Sequence, residues 1–137
     1  MATGVSLDND AFTEVLLQGA QAIGTSNEGY RGAIHSWETK VNEPVPQAKN
    51  PSLQEELNKT HSVYQQRIKD TVANLKDLVA VGEELKSLYE RQFEPLTFMV
   101  SHTDIKNRYD ALLSKHKDYE VEVTTLENRI VELMSKS

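Results

Sequence analysis

Cysteine is absent from the 137-residue chain, which excludes disulfides, thiolate nucleophiles and thiolate metal sites and leaves the compartment open. Proline and glycine are scarce, at 4 and 6, and all but Pro95 and Gly82 lie at or before Pro51. Long stretches of the second half therefore contain nothing that would interrupt a helix. An excess of positive charge is missing too. The chain carries 21 acidic and 15 basic side chains, for a net charge of −6. Residues 1–50 hold 6 acids and 3 bases and residues 51–137 hold 15 and 12, so each part is −3. Neither offers the basic field that nucleic acid or an anionic membrane surface requires. No apolar run approaches the roughly 18 residues of a membrane span. The segment Met1–Asp8 has no basic n-region and no apolar h-region, so no cleaved signal peptide is expected. The expectation is a cytoplasmic protein, or one exported without such a signal.

What remains is helical periodicity. Residues 1–10 read as a lead-in, with Asp8 or Asp10 capping a helix whose Phe12, Val15, Leu16, Gly19 and Ile23 share a face. Gly24-Thr25-Ser26-Asn27-Glu28-Gly29 reads as punctuation, followed by a second short helix with Tyr30, Ala33 or Ile34, Trp37 and Val41 in register. The stripe can also be traced through residues 24–29, so a continuous helix stays open. Glu43-Pro44-Val45-Pro46 stops the pattern, because prolines two apart cannot sit in a helix interior.

Ser52, with Glu55 three residues on, has the form of a capping box that opens a long helix. Alternating steps of four and three from Leu57 give His61, Tyr64, Ile68, Thr71, Leu75, Leu78, Gly82, Leu85 and Tyr89, with Val72, Val79 and Leu88 widening the stripe. Pro95 reads as its stop and residues 96–100 as an apolar connector. Ser101 or Thr103 then caps a last helix, whose stripe runs Ile105, Tyr109, Leu112, His116, Tyr119, Val123, Leu126, Ile130, Leu133 through four heptads. The pairs Glu55–Lys59, Lys86–Glu90, Asp104–Arg108 and Lys106–Asp110 mark the wet faces. The fold expected is all-α: a short N-terminal helical pair over residues 1–50 and a long, coiled-coil-like antiparallel hairpin over 51–137.

Candidates for chemistry resolve into packing. His35, His61, His102 and His116 show neither HExxH nor Glu-x-x-His spacing. His61 and His116 occupy seam positions, where a polar side chain helps fix register, and His116 can pair with Glu120 one turn on. Glu55-Glu56 and Glu83-Glu84 are neighbours on a helix and so point in different directions, unlike a catalytic dyad. There is no Gly-x-Ser-x-Gly elbow and no phosphate-binding loop. The reading is a protein that is not an enzyme and takes no cofactor or metal. Trp37, the only tryptophan, is a core anchor or an interface anchor. Phe98-Met99-Val100 is a cap over the bundle end or a docking tip.

The stretch Gly29-Tyr30-Arg31-Gly32-Ala33-Ile34-His35-Ser36-Trp37-Glu38 resembles the middle of the WXG family, the small helical-hairpin proteins of type VII secretion. In that family an aromatic-x-Gly turn joins two helices and a bulky aromatic follows. Tyr30, Gly32 and Trp37 would be those positions. The length is similar to that of the helical partner proteins that accompany LXG toxins. This chain departs from the family in having Tyr at the first aromatic, Pro44 soon after the second, and two longer helices beyond. No aromatic is followed four residues later by Asp or Glu, which is the family's export signal, so a bound partner would have to supply it.

The function implied is a non-catalytic helical partner or targeting factor. It would bind another helical protein side by side, as a hetero-complex or homodimer, for type VII secretion. Its partner-binding residues would be Tyr30, Gly32, Trp37, Leu75, Leu78, Leu85, Leu112, Leu126 and Ile130. The alternative is a structural coiled-coil subunit of a scaffold or tethering complex.

Overall fold

The computed structural model describes the backbone of residues 2–91 and 95–136 and the side chains of residues 12–91 and 98–136. It contains three α-helices: α1 (Ala2–Val41), α2 (Pro51–Glu90) and α3 (Pro95–Ser135). No strand occurs among the described residues. At about 1.5 Å per residue each helix is about 60 Å long.

The N-terminal segment is one helix, not a pair. Ala2 already lies in α1, so Asp8 and Asp10 fall inside the helix and neither opens it. Residues 24–29 continue the helix, and no described glycine takes a positive φ. The reason is tertiary. Leu16, Ala20, Ile23, Asn27, Tyr30, Ile34, Trp37 and Val41 follow alternating steps of four and three, and all are buried or half-buried. Local turn preference in a Gly/Ser/Asn run amounts to about 1 kcal/mol per residue, less than the apolar face gains by staying in register on α2. The helix ends where Pro44 and Pro46 forbid another turn, and the amides of Asn42 and Glu43 close it by donating to Thr39 and Lys40 carbonyls.

Two other boundaries differ from the sequence reading. Asn50, not Ser52, caps α2: its Oδ1 accepts from the amides of Ser52 (2.9 Å) and Leu53 (3.5 Å), with Pro51 in the first turn. Pro95 begins α3 rather than ending α2, which closes at Glu90. A proline at a first helical position has no amide to leave unpaired. Residues 96–100 thus belong to α3, and Thr103 lies within it, its hydroxyl donating to the Met99 carbonyl.

α2 is the central element. It runs antiparallel to α3, as Arg129 with Glu56, Arg67 with Glu122 and Arg108 with Glu84 show. It runs antiparallel to α1 as well, as Asn27 with Glu83 and Gln65 with the Val41 carbonyl show. These interhelical ion pairs are a third to a half exposed, so each contributes roughly 0–1 kcal/mol and mainly fixes direction. The four i,i+4 pairs expected on the wet faces all form. Stability resides in the apolar seam of α2, where Leu57, Ile68, Leu75 and Leu78 are 0% exposed and Leu85 1%. Burying each such side chain is worth about 1.5–3 kcal/mol. One cluster draws Leu75, Leu78, Val81, Leu85 and Leu88 of α2 together with Phe98 and Tyr109 of α3, and Leu16, Ile23, Tyr30, Ile34 and Trp37 of α1 rest on it. The apolar stripe from Leu16 to Val41 therefore rests on α2 and its clusters instead of packing on itself.

Candidate interaction groove

α1 and α3 flank α2 without closing over it. Their backbones do not meet: no Cα of one lies within 8 Å of a Cα of the other among the described residues. Side chains alone bridge the gap. Phe12 meets Phe98 edge-on at 5.5 Å between centroids, Tyr30 meets His116 at 6.0 Å, and Lys40 Nζ lies 3.5 Å from Glu127 Oε1. The space between the outer helices opens as a groove at one end, with α2 at its floor.

That end lies where α1 gives way to the proline linker. Lys40, Glu43, Pro44, Pro46, His61, Tyr64, Glu127, Ile130 and Val131 line a depression there. Its floor is ordered by one chain of contacts. The Tyr64 hydroxyl donates to Glu127 Oε1 at 3.1 Å, and the same oxygen faces Lys40. Burial, then the bond to Glu127, pushes the Tyr64 phenol well above its ordinary value, so it keeps its proton and serves as a donor. That arrangement orients a carboxylate; it generates no nucleophile. Trp37 is half-buried one turn above, with Lys40 Nζ 5.1 Å from its ring centroid. Val131, 66% exposed, forms the outer rim.

At the other end the aromatic side chains form a stack. Phe98 lies 5.2 Å from the His102 ring, whose Nε2 is 2.8 Å from the Tyr89 hydroxyl. Phe98 is buried as a cap over this end, while Met99 and Val100 stay 63% and 70% exposed. The two readings of the Phe98-Met99-Val100 tip are thus divided between its residues. Burial raises the phenols of Tyr89 and Tyr109, and the Tyr30 hydroxyl adds to the effect at Tyr109. Between the ends, His116 is buried against the Tyr30 ring with Nε2 3.2 Å from Glu120 Oε1, while its Nδ1 has no partner. Among the described residues no group of three His, Asp or Glu side chains is placed to hold a metal ion. No described helix is long and apolar enough to cross a membrane.

The residues expected to bind a partner divide into three sets. Tyr30, Trp37, Leu112, Leu126 and Ile130 are half-buried and rest on the core clusters from α1 and α3. Leu75, Leu78 and Leu85 are a correction: α1 and α3 already cover them, so they are core in this structure rather than an open seam. Gly32 is a second correction. It lies in the interior of α1, exposed, with nothing beyond its own helix backbone within 4 Å of where a Cβ would stand, and makes no turn. The sequence reading missed Asn27, which is 0% exposed between α1 and α2. A signal existed, since Asn27 sits on the traced stripe and Gly82 on that of the facing helix. No family model, curated protein or solved structure matches this chain.

Proposed function

We propose that the protein is a non-catalytic helical partner that binds one amphipathic helix of another protein side by side in the groove between α1 and α3. The observation that carries this reading is the depression at the linker end, where Lys40, Pro44 and Pro46, His61 and Tyr64 of α2, and Ile130 and Val131 of α3 surround one open space while the α1 and α3 backbones stay apart. An incoming helix would place a narrow apolar stripe between them, with Trp37 as the large rigid anchor. In the α2–α3 pair, read as a coiled-coil-like hairpin, α2 supplies the rigid floor and α3 one wall.

A role in type VII secretion is the narrower form of the proposal and rests on Tyr30, Gly32 and Trp37. The unbroken α1 favours the other reading, a structural subunit of a scaffold or tether, because an aromatic-x-Gly turn is what the secretion family would require. Co-purification of the tagged chain from its own host separates the two. Recovery of a helical toxin segment or a secretion ATPase supports targeting, whereas recovery of long coiled-coil proteins supports the scaffold. The groove is tested by Val131→Asp and Trp37→Ala. Val131 is exposed, so its substitution should leave helicity intact and weaken partner capture at least tenfold. Undiminished capture by both variants would remove the groove as the binding site.

A further inference from the structure

α1 is held differently from the other two helices. Five of the chain's six glycines fall in α1, one in α2 and none in α3. A glycine in a helix interior lowers helix stability about fivefold relative to alanine. At Gly29 and Gly32 no neighbour requires it, since nothing beyond the local backbone of α1 lies within 4 Å of a built Cβ. The apolar residues of α1 are mostly half-buried, whereas Leu75, Leu78 and Leu85 beneath them are at most 1% exposed. In the middle of the α1–α2 seam, Asn27 is fully buried and its Oδ1 has no hydrogen-bond partner. An amide oxygen withheld from water without a partner favours the open state, where water supplies one. Beyond α1, residues 42–50 form a non-helical tether containing Pro44 and Pro46. α3, by contrast, seats Phe98, Tyr109, Val123 and Leu133 fully in the core and has no glycine.

We propose that α1 is a displaceable cover. It opens from α2 while α2 and α3 stay paired, and the uncovered face around Leu75, Leu78, Gly82 and Leu85 receives an amphipathic helix of the partner in its place, as a second site that exists only while α1 is open and the groove between α1 and α3 is not formed. The occupant repeats the pattern of α1, with apolar residues at steps of four and three and a small or amide side chain opposite Gly82. Gly82 decides the last point, because it leaves room there for an Asn and a bulkier pairing would separate the helices. The identity of the occupant rests on the helix-binding reading; the opening of α1 does not.

Hydrogen exchange of the full chain, read by mass spectrometry, tests the opening. Residues 12–41 are expected to exchange at least about 100-fold faster than residues 57–88, as expected of a unit that opens alone. Gly29→Ala with Gly32→Ala should slow exchange in α1 about twentyfold and leave α2 and α3 unchanged. Equal protection in all three helices, or equal slowing of all three, overturns the proposal. A labelled peptide of residues 12–41 then probes the uncovered face. It should bind the full chain, and about twentyfold more weakly when the chain carries both alanines. Fast exchange in α1 with no peptide binding overturns the docking part. Val131→Asp lies outside this face and should leave peptide binding unchanged, so failure of the groove and failure of the cover are read separately.

Discussion

Asn27 of α1 lies directly over Gly82 of α2: a Cβ built on Gly82 would stand 2.5 Å from Asn27 Oδ1 and 2.9 Å from its Nδ2. The amide nitrogen is held by Glu83 Oε1 at 3.0 Å, so the side chain cannot swing aside without losing that bond. Gly82→Ala should therefore destabilise the protein by about 1–3 kcal/mol, as overpacking does. Urea unfolding checks this. Adding Asn27→Ala should recover most of the loss, and strictly additive effects of the two substitutions would show that they do not touch.

His116 leads to the opposite expectation. Its Nδ1 is buried without a partner, and its contact with Glu120 reaches a carboxylate that is 55% exposed. Replacing the ring by an apolar side chain removes an unmet polar atom while keeping most of the volume. His116→Leu should be neutral or stabilising by up to about 1 kcal/mol, seen as an unchanged or higher thermal midpoint. A loss of more than about 2 kcal/mol would mean that the imidazole makes an essential bond.

The pH dependence is set by three phenols and one carboxylate. Tyr64, Tyr89 and Tyr109 are all raised, with burial as the largest cause. A phenol with a raised folded-state pKa contributes stability that is complete below its ordinary value of 10.0 and is lost as pH climbs through the folded one. Stability should thus be flat near pH 8–9 and fall steeply above about pH 10. Tyr64→Phe should flatten part of that slope, which urea midpoints across the range would measure. Glu83 is lowered, chiefly by the Asn27 amide and then by Arg31. Its contribution is present above the ordinary carboxylate value of 4.5 and fades as pH falls below it. Because this side chain is 47% exposed, the acid limb should be shallow.

Asn50→Ala removes the oxygen that accepts two amides at the start of α2. The expected cost is about 1 kcal/mol. Ser52→Ala, which the sequence would have selected as the cap, should cost less than Asn50→Ala in the same unfolding assay.

The long stripes of α2 and α3 were legible because nothing interrupts their period, and every stripe residue from Leu57 to Leu88 and from Ile105 to Leu133 is buried or half-buried. Residues 24–29 were not, because a Gly/Ser/Asn run carries a local turn preference while its reason for staying helical, Asn27 over Gly82, belongs to another helix. Pro95 was ambiguous for a related reason: proline is excluded from a helix interior yet suited to its first turn, and composition alone does not say which side of it is helical. In the groove, periodicity showed that Leu75, Leu78 and Leu85 are apolar-face residues. It could not show that the chain covers that face itself. Ile130 does line the groove and Trp37 and Leu126 pack on the core beside it, whereas Tyr64, Glu127 and Lys40 meet only because three helices converge there.

The central position of α2 has an evolutionary consequence. Both neighbours press on it, so most of its circumference answers to two sets of contacts at once, while α1 and α3 each answer chiefly to one. Substitutions should accumulate slowest along α2 and fastest on the far side of α1, where Gly29 and Gly32 face open space. Lineages that diverge in what they recognise would then differ in their outer helices first, around a middle helix that changes little.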